Sequence, residues 1–439
     1  MAKKAKHYNI CVVGAGHVGL VAAACFSQLG HQVICTDNNK QKINSLKKLK
    51  LPFYEPDLEP LVRRNYNKKK LLFINNLSSA IKKSEVIFIA VSTPPLEDGS
   101  LDLTYVENVA RTISENINSY KLIVSKSTVP VLTGKKIKET IQRYEKNKID
   151  FEVASNPEFL REGQAVKDFF YPNRIVLGVE SKKGEKILRD IHSSLKSPVI
   201  VTDIGAAEII KHASNSFLAT KISFINAVSR ICDLAGVNID QVAEAMGVDE
   251  RIGEDFLQAG VGYGGSCFPK DLDGFKYISK KLGYDFGLLS EVKKINESQP
   301  NYFIEKLKER IWVLKDKKIT ILGLSFKANT DDIRFAPSIK VINLLKNQKA
   351  HLCFYDPQVK RESVKNLLKD KNMRFYKDPY AAIKDSECIC LLTDWPEFKK
   401  LNFKKIKKIM KYPFIADGRN ILDKQKMIEL GFEYLGIGR

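Results

Sequence analysis

The chain has 439 residues, 44% of them hydrophobic and 28% charged, and its 72 Lys and Arg against 51 Asp and Glu give a formal net charge of +21. At roughly 150 residues per domain this implies two or three domains, with enough apolar material to exclude disorder as the main state. No run of about 18 apolar residues occurs, so no membrane span is expected. The basic start, Met1 to Lys6, leads into a strand-like run with glycines rather than a signal peptide, and the expectation is a cytoplasmic protein.

The positive charge comes from 57 Lys scattered along the chain and only 15 Arg. That is a compositional habit rather than an Arg-rich reading surface, so nucleic acid is not an expected partner. The densest basic stretch, Phe398 to Lys411, reads as a solvated helix face rather than a membrane-surface helix. Of the eight cysteines, most sit in apolar runs where a thiol packs as a small hydrophobe, and no CxxC pair suggests zinc or a redox motif. No metal site is expected.

In chain order, strand-length apolar runs occur at Tyr8–Val13, Gln32–Thr36, Leu71–Ile74, Val86–Val91, Leu122–Ser125 and Phe151–Ala154, with amphipathic stretches between several of them. Arg174–Val179 and Pro198–Thr202 are two further candidates. This alternation predicts a parallel sheet with crossover helices. From Ala206 to Ala235 the apolar residues recur at helical spacing, and helical character continues to about Leu314. Alternation resumes with Lys318–Gly323, His351–Tyr355, Glu387–Leu392 and Phe414–Ala416. The two α/β regions share no visible sequence repeat. The expected division is residues 1–203, a helical 204–315 suited to self-association, and 316–439, with a cleft between the α/β domains.

Gly14-Ala15-Gly16-His17-Val18-Gly19 directly follows the first strand and opens a helical pattern. In this GxGxxG spacing Gly14 makes the turn, Gly16 admits the pyrophosphate and Gly19 lets helix and strand pack. Asp37, 18 residues after Gly19 at the end of the second strand, is placed to bond a ribose 2′-hydroxyl and to repel a 2′-phosphate. NAD is therefore expected. His17 reads as packing or a phosphate neighbour rather than a catalytic group.

Polar segments end three further strands: Val91-Ser92-Thr93-Pro94-Pro95, Lys126-Ser127-Thr128-Val129-Pro130, and Asn156 to Gly163. Strand C-termini of one sheet converge, so Thr93, Thr128 and Glu158 are expected to share a crevice. Glu158 and Glu162 would lie on one helix face if that segment is helical, the alternative for Glu162 being an ion pair with Arg161 or a solvated turn. Lys211 and Asn215, four apart on the long helix, suit an oxygen gaining negative charge. Gly260 to Asp271 contains four glycines that would let backbone approach a ligand, then Cys267, Lys270 and Asp271. A helix starting there would favour a reactive thiolate. NAD implies hydride transfer and a nucleophilic Cys a covalent intermediate; together they point to oxidation of a primary alcohol to a carboxylate through a thiohemiacetal and a thioester.

These motifs, with Ser325-Phe326-Lys327, Asp332, Arg334 and Asp417-Gly418-Arg419, resemble the UDP-glucose/GDP-mannose dehydrogenase family along nearly the whole chain. The fold this implies is α/β: two Rossmann-like parallel-sheet domains joined by a long central helix and helical segment. The resemblance implies Cys267 as nucleophile, Lys211 and Asn215 at the oxyanion, Asp271 with Thr128 on water, and Glu162 assisting thioester hydrolysis. It implies cofactor contacts at Lys270 and Arg334, with Thr93 and Glu158 near the nicotinamide. Substrate contacts are implied at Phe159, Leu160, Tyr263, Gly264 and Lys327, with Arg419 in the UDP-holding domain and Arg251 reaching a neighbouring subunit. The implied reaction is NAD-dependent four-electron oxidation of UDP-glucose to UDP-glucuronate by a homodimer. GDP-mannose or a UDP-N-acetylhexosamine is the alternative substrate. A two-electron β-hydroxyacid dehydrogenase is a further alternative, but it would lack both the Cys and the second α/β domain.

Overall fold

A computed structural model describes residues 6–146 and 148–439; most of the basic start, residues 1–5, lies outside the described residues. The chain divides into two compact units, Met1–Ser214 with Asp273–Tyr284, and Asn215–Leu272 with Asp285–Arg439.

The first unit holds eight strands: β1 (Asn9–Val13), β2 (Gln32–Thr36), β3 (Leu71–Ile74), β4 (Val86–Ile89), β5 (Lys121–Ser125), β6 (Phe151–Ser155), β7 (Ile175–Gly178) and β8 (Val199–Thr202). They form one sheet in the order β3-β2-β1-β4-β5-β6-β7-β8. Both faces are covered. Ile10 and Val12 of β1 pack into one buried cluster with Leu20, Phe26 and Phe88, while Cys11 and Val13 pack into another with Ile87, Ile89 and Ile123. That is why the strands read as continuous apolar runs rather than alternating ones. One expectation is corrected: the sheet is not wholly parallel. β7 meets β6 antiparallel through the single pair Ser155 and Gly178.

The second unit holds β9 (Lys318–Leu322), β10 (His351–Tyr355), β11 (Met373–Phe375), β12 (Cys388–Leu391), β13 (Phe414–Asp417) and β14 (Glu433–Leu435). All pairs are parallel, in the order β11-β10-β9-β12-β13-β14. The sequences share no repeat, yet this order matches that of the first six strands of the other unit. In each sheet the order reverses once, between β1 and β4 and between β9 and β12, and ligands of such sheets settle outside the strand C-termini at that point.

The helical middle begins with a helix of 32 residues, Ile204–Ala235, and ends with one of 24 residues, Gly287–Arg310. In the Lys-rich stretch Phe403 and Ile406 are buried in the core of the second unit, and Lys404, Lys405, Lys407 and Lys408 are exposed. The apolar face of that helix is used internally, as a solvated helix requires. Among the described residues no helix is long and apolar enough to cross a membrane.

Candidate active site

The turn after β1 has the geometry of a phosphate cradle. Gly14 has φ +108°, and a Cβ there would lie 2.3 Å from the Ala90 carbonyl oxygen; a Cβ on Gly19 would lie 1.9 Å from the Gly14 carbonyl oxygen. Packing alone demands both glycines. Gly16 differs: a Cβ there would meet nothing within 4 Å. Gly16 precedes the helix His17–Gln28, whose N-terminus has no side-chain cap. His17 and Val18 open that helix, so the first-turn N–H groups and the helix dipole face open space above Gly16. A dinucleotide pyrophosphate fits there. Asp37, at the end of β2, accepts Ala15 N at 2.9 Å and Lys42 Nζ at 2.8 Å through Oδ2, and Asn39 N through Oδ1. Burial pushes its carboxyl up, but the Lys42 ammonium and the two backbone N–H groups outweigh this and hold it below the usual carboxylate range.

At the C-terminal ends of β4, β5 and β6 the predicted loops are tied to one another. Thr93 Oγ1 donates to the Thr128 carbonyl at 2.9 Å, and Ser127 Oγ to the Val91 carbonyl at 2.7 Å. The buried Lys126 ammonium donates to Asn156 Oδ1 at 3.0 Å, and Asn156 Nδ2 donates to the Val176 carbonyl at 2.9 Å. Burial lowers the Lys126 pKa to about 8. Glu158 Oε1 lies 3.0 Å from Lys211 Nζ with both side chains buried, and Glu158 Oε2 accepts Leu160 N at 2.6 Å. The Phe159 ring carries the Arg174 guanidinium at 3.8 Å and Lys211 Nζ at 5.4 Å. Lys211 is set in register because its helix is pinned on either side: Glu208 accepts Leu132 N and Gly134 N, both at 2.7 Å, and His212 Nε2 bonds the Val129 carbonyl at 2.9 Å.

The conditional helical reading falls in this segment. Residues 156–164 are not helical, because Pro157 and the left-handed Gly163 (φ +81°) keep the chain in a loop until Ala165. Glu158 and Glu162 therefore do not share a helix face. The Arg161 guanidinium engages Asp168, and Glu162 is buried rather than solvated.

In the second unit Cys267 is partly exposed, unlike the other seven cysteines, and directly precedes the helix Phe268–Lys281. Its carbonyl accepts Asp271 N at 2.8 Å. The Asp271 carboxylate is fully buried; Asn215 Nδ2 donates to its Oδ2 at 2.6 Å and Lys270 Nζ lies 3.1 Å from its Oδ1. Close packing demands glycine along the approach to Cys267. A Cβ on Gly260, Gly262, Gly264 or Gly265 would clash with Gly418 O, Asn296 Oδ1, Phe335 O or the Phe326 ring. Gly265 N donates to the Arg334 carbonyl, and the Arg334 guanidinium chelates Asp332. Tyr263 is held through its backbone by Asn296. Arg419 is a clamp: its guanidinium donates to the carbonyls of Leu392, Gly262 and Phe326. Lys327 Nζ sits 5.5 Å over the Phe326 ring. Arg251 is exposed and paired with Asp249. Among the described residues no group of three or more His, Cys, Asp or Glu could hold a metal ion.

Family models for the UDP-glucose/GDP-mannose dehydrogenase family match in three consecutive pieces: the NAD binding domain over residues 8–196, the central domain over 205–298 and the UDP binding domain over 320–424. The chain belongs to this family. It is an NAD-dependent dehydrogenase. Across 431 residues it is 44% identical to the UDP-glucose 6-dehydrogenase TuaD of Bacillus subtilis, covering 98% of this chain and 93% of that one. The UDP-glucose 6-dehydrogenase of Rickettsia felis is 42% identical over 435 residues, 98% of this chain and 96% of the relative. A solved UDP-glucose dehydrogenase from Pyrobaculum islandicum superposes with a TM-score of 0.92 at 35% identity, covering 100% of this chain and 99% of that one.

Sequence reasoning missed several residues that shape this dehydrogenase. Glu55, Glu208 and Asn296 sit in no recognisable spacing, and only their burial and partners reveal them. A buried ionisable residue is a signal that appears once the fold is known.

Proposed function

We propose that this dehydrogenase oxidises UDP-glucose to UDP-glucuronate, consuming two NAD per sugar, with Cys267 as nucleophile. The observation that carries the reading is the setting of Cys267. It is the one partly exposed cysteine, at the start of a 14-residue helix whose first turn holds an Asp271 fixed by Asn215 and Lys270. A helix N-terminus favours an anionic group at that position.

The Gly14–Gly19 turn and Asp37 would hold NAD, which would supply the hydride acceptor for each of the two oxidations. Carbon C6 gives up a hydride and its hydroxyl a proton, leaving an aldehyde. The Cys267 thiolate adds to the aldehyde carbon, forming a C–S bond and an alkoxide that Lys211 and Asn215 stabilise by hydrogen bonding. Loss of a second hydride leaves a thioester. Water, positioned by Asp271 and Thr128 with Glu162 assisting, displaces the sulfur and releases the carboxylate. Lys270, Arg334, Thr93 and Glu158 are assigned to the cofactor, and Phe159, Leu160, Tyr263, Gly264, Lys327 and Arg419 to the nucleotide sugar. The naming of the relatives supports UDP-glucose as the substrate.

A homodimer is part of the proposal. Phe217, Phe224 and Ile231, seven apart on the long helix, are exposed together with Leu234. A stripe of that size on the helix suits a second copy of the chain, with Arg251 available to it. Seven buried, unbridged cysteines suit the reducing cytoplasm.

The test is a count. With limiting UDP-glucose and excess NAD, two NADH per sugar are expected. One would mean an alcohol–aldehyde enzyme and would sink the covalent mechanism; none would sink the substrate assignment.

A further inference from the structure

The segment Leu51 to Asp57 belongs to no part of the mechanism above, yet Glu55 buries its carboxylate completely. Oε2 accepts Gly163 N at 2.7 Å and lies 2.7 Å from His17 Nε2; Oε1 accepts Ala165 N at 2.8 Å. A carboxylate only accepts, so His17 Nε2 is the donor. The His17 ring also stacks on Phe53, with centroids 4.3 Å apart and planes 23° apart. One buried group thus joins the first residue of the helix that faces the pyrophosphate to the end of the loop carrying Glu158, Phe159, Leu160 and Glu162.

We propose that Glu55 is a positioning residue that couples the dinucleotide phosphate turn to the 156–165 loop, so that NAD binding by itself orders this loop. The bridge has few degrees of freedom: a ring fixed by one stack and one hydrogen bond, and a carboxylate fixed by three donors. The loop itself begins at Pro157 and turns at a left-handed Gly163, with no repeating backbone ladder between them. It is anchored at Asn156 by Lys126 and at Gly163 and Ala165 by Glu55. When a phosphate restrains the helix N-terminus, His17 is restrained too, and the Glu55 anchor stops fluctuating. Coupling of this kind needs no displacement, only shared loss of freedom. The inference rests on NAD binding and not on the identity of the sugar.

Hydrogen exchange of the full chain, with and without saturating NADH, tests it. In the wild type, amide exchange in peptides spanning 156–170 should slow by about fivefold or more on NADH binding, within the usual range of intramolecular coupling. His17→Ala cuts the bridge while leaving both backbone bonds to Glu55. With NADH raised until the peptide spanning 14–28 shows full protection in the variant, it should reduce that slowing to under about twofold. His17→Gln, which restores a donor at the same reach, should recover the effect. Glu55→Gln should behave as His17→Ala, and if it fails to fold the His17 pair still decides. Equal NADH-dependent protection of 156–170 in His17→Ala and wild type would overturn the proposal, as would its absence from the wild type.

Discussion

Lys211 Nζ and Glu158 Oε1 form a buried ion pair, 3.0 Å apart, that joins the long helix to the loop after β6. Removing one partner of such a pair commonly costs about 3–5 kcal/mol, far more than an exposed pair is worth. Glu158→Gln should therefore lower the melting temperature clearly. Lys211→Met is expected to reduce kcat by about 100-fold or more, the usual loss when a donor to a developing oxyanion is removed. Calorimetry and steady-state kinetics on both variants separate the two roles; a Lys211→Met enzyme with full kcat would remove Lys211 from the chemistry.

The two glycines of the phosphate turn should fail differently. Gly14→Ala places a Cβ 2.3 Å from a backbone oxygen at φ +108°, so the protein should express poorly or melt much earlier. Gly16→Ala meets no atom of the chain, so its melting temperature should match the wild type while NADH affinity drops by about tenfold or more, roughly 1.4 kcal/mol. Fluorescence titration reads the second effect. Wild-type affinity in Gly16→Ala would place the pyrophosphate elsewhere.

Asp37 and Lys42 are expected to set the choice of coenzyme together. The carboxylate proposed to repel a 2′-phosphate is held by a Lys ammonium 2.8 Å away. In Asp37→Asn the repulsion is gone and the cation remains. The ratio of kcat/KM for NAD over NADP should fall by about tenfold or more; an unchanged ratio would show that discrimination lies in other residues.

The Glu208 carboxyl is pushed up to about 7 by burial, against the N–H groups of Gly134 and Leu132. In the unfolded chain it would titrate near about 4.3. Between those values the folded protein holds a proton that the unfolded chain has released, so stability falls as pH rises through that window. Glu208→Gln removes the titration. The melting temperature of the wild type relative to Glu208→Gln should therefore be highest near pH 5 and decline towards pH 8; a difference that rises with pH would overturn this.

The stretches legible in advance were those where local physics and global fold agree. The turn Gly14–Gly19 could be read because a strand, a spacing and an acid at Asp37 all say the same thing. β11 and β14 escaped because each has three residues, too few for any periodicity to register. In the 156–164 loop the Glu158/Glu162 spacing is compatible with a helix, but Pro157 and Gly163, the breakers, carry the better signal. The close contacts that require glycine before Cys267 come from residues 34 to 158 positions away in the sequence, from Asn296 to Gly418, which no local reading reaches. The partners of Glu55 are likewise 38 and more than 100 residues distant.

The distribution of sulfur sets how this protein ages. Burial pushes the Cys11 thiol up to about 12, and it also raises Cys25, Cys35, Cys353 and Cys388. These thiols are shielded from peroxide by geometry and by protonation alike. Cys267 is instead partly exposed, as the proposed chemistry requires. Oxidative damage should therefore start at this one atom: first to a sulfenic acid that a cellular thiol can reverse, then to a sulfinic acid that few systems repair. Activity would be lost while the fold, the melting curve and nucleotide binding stay intact, leaving inactive molecules that no quality-control system recognises by shape.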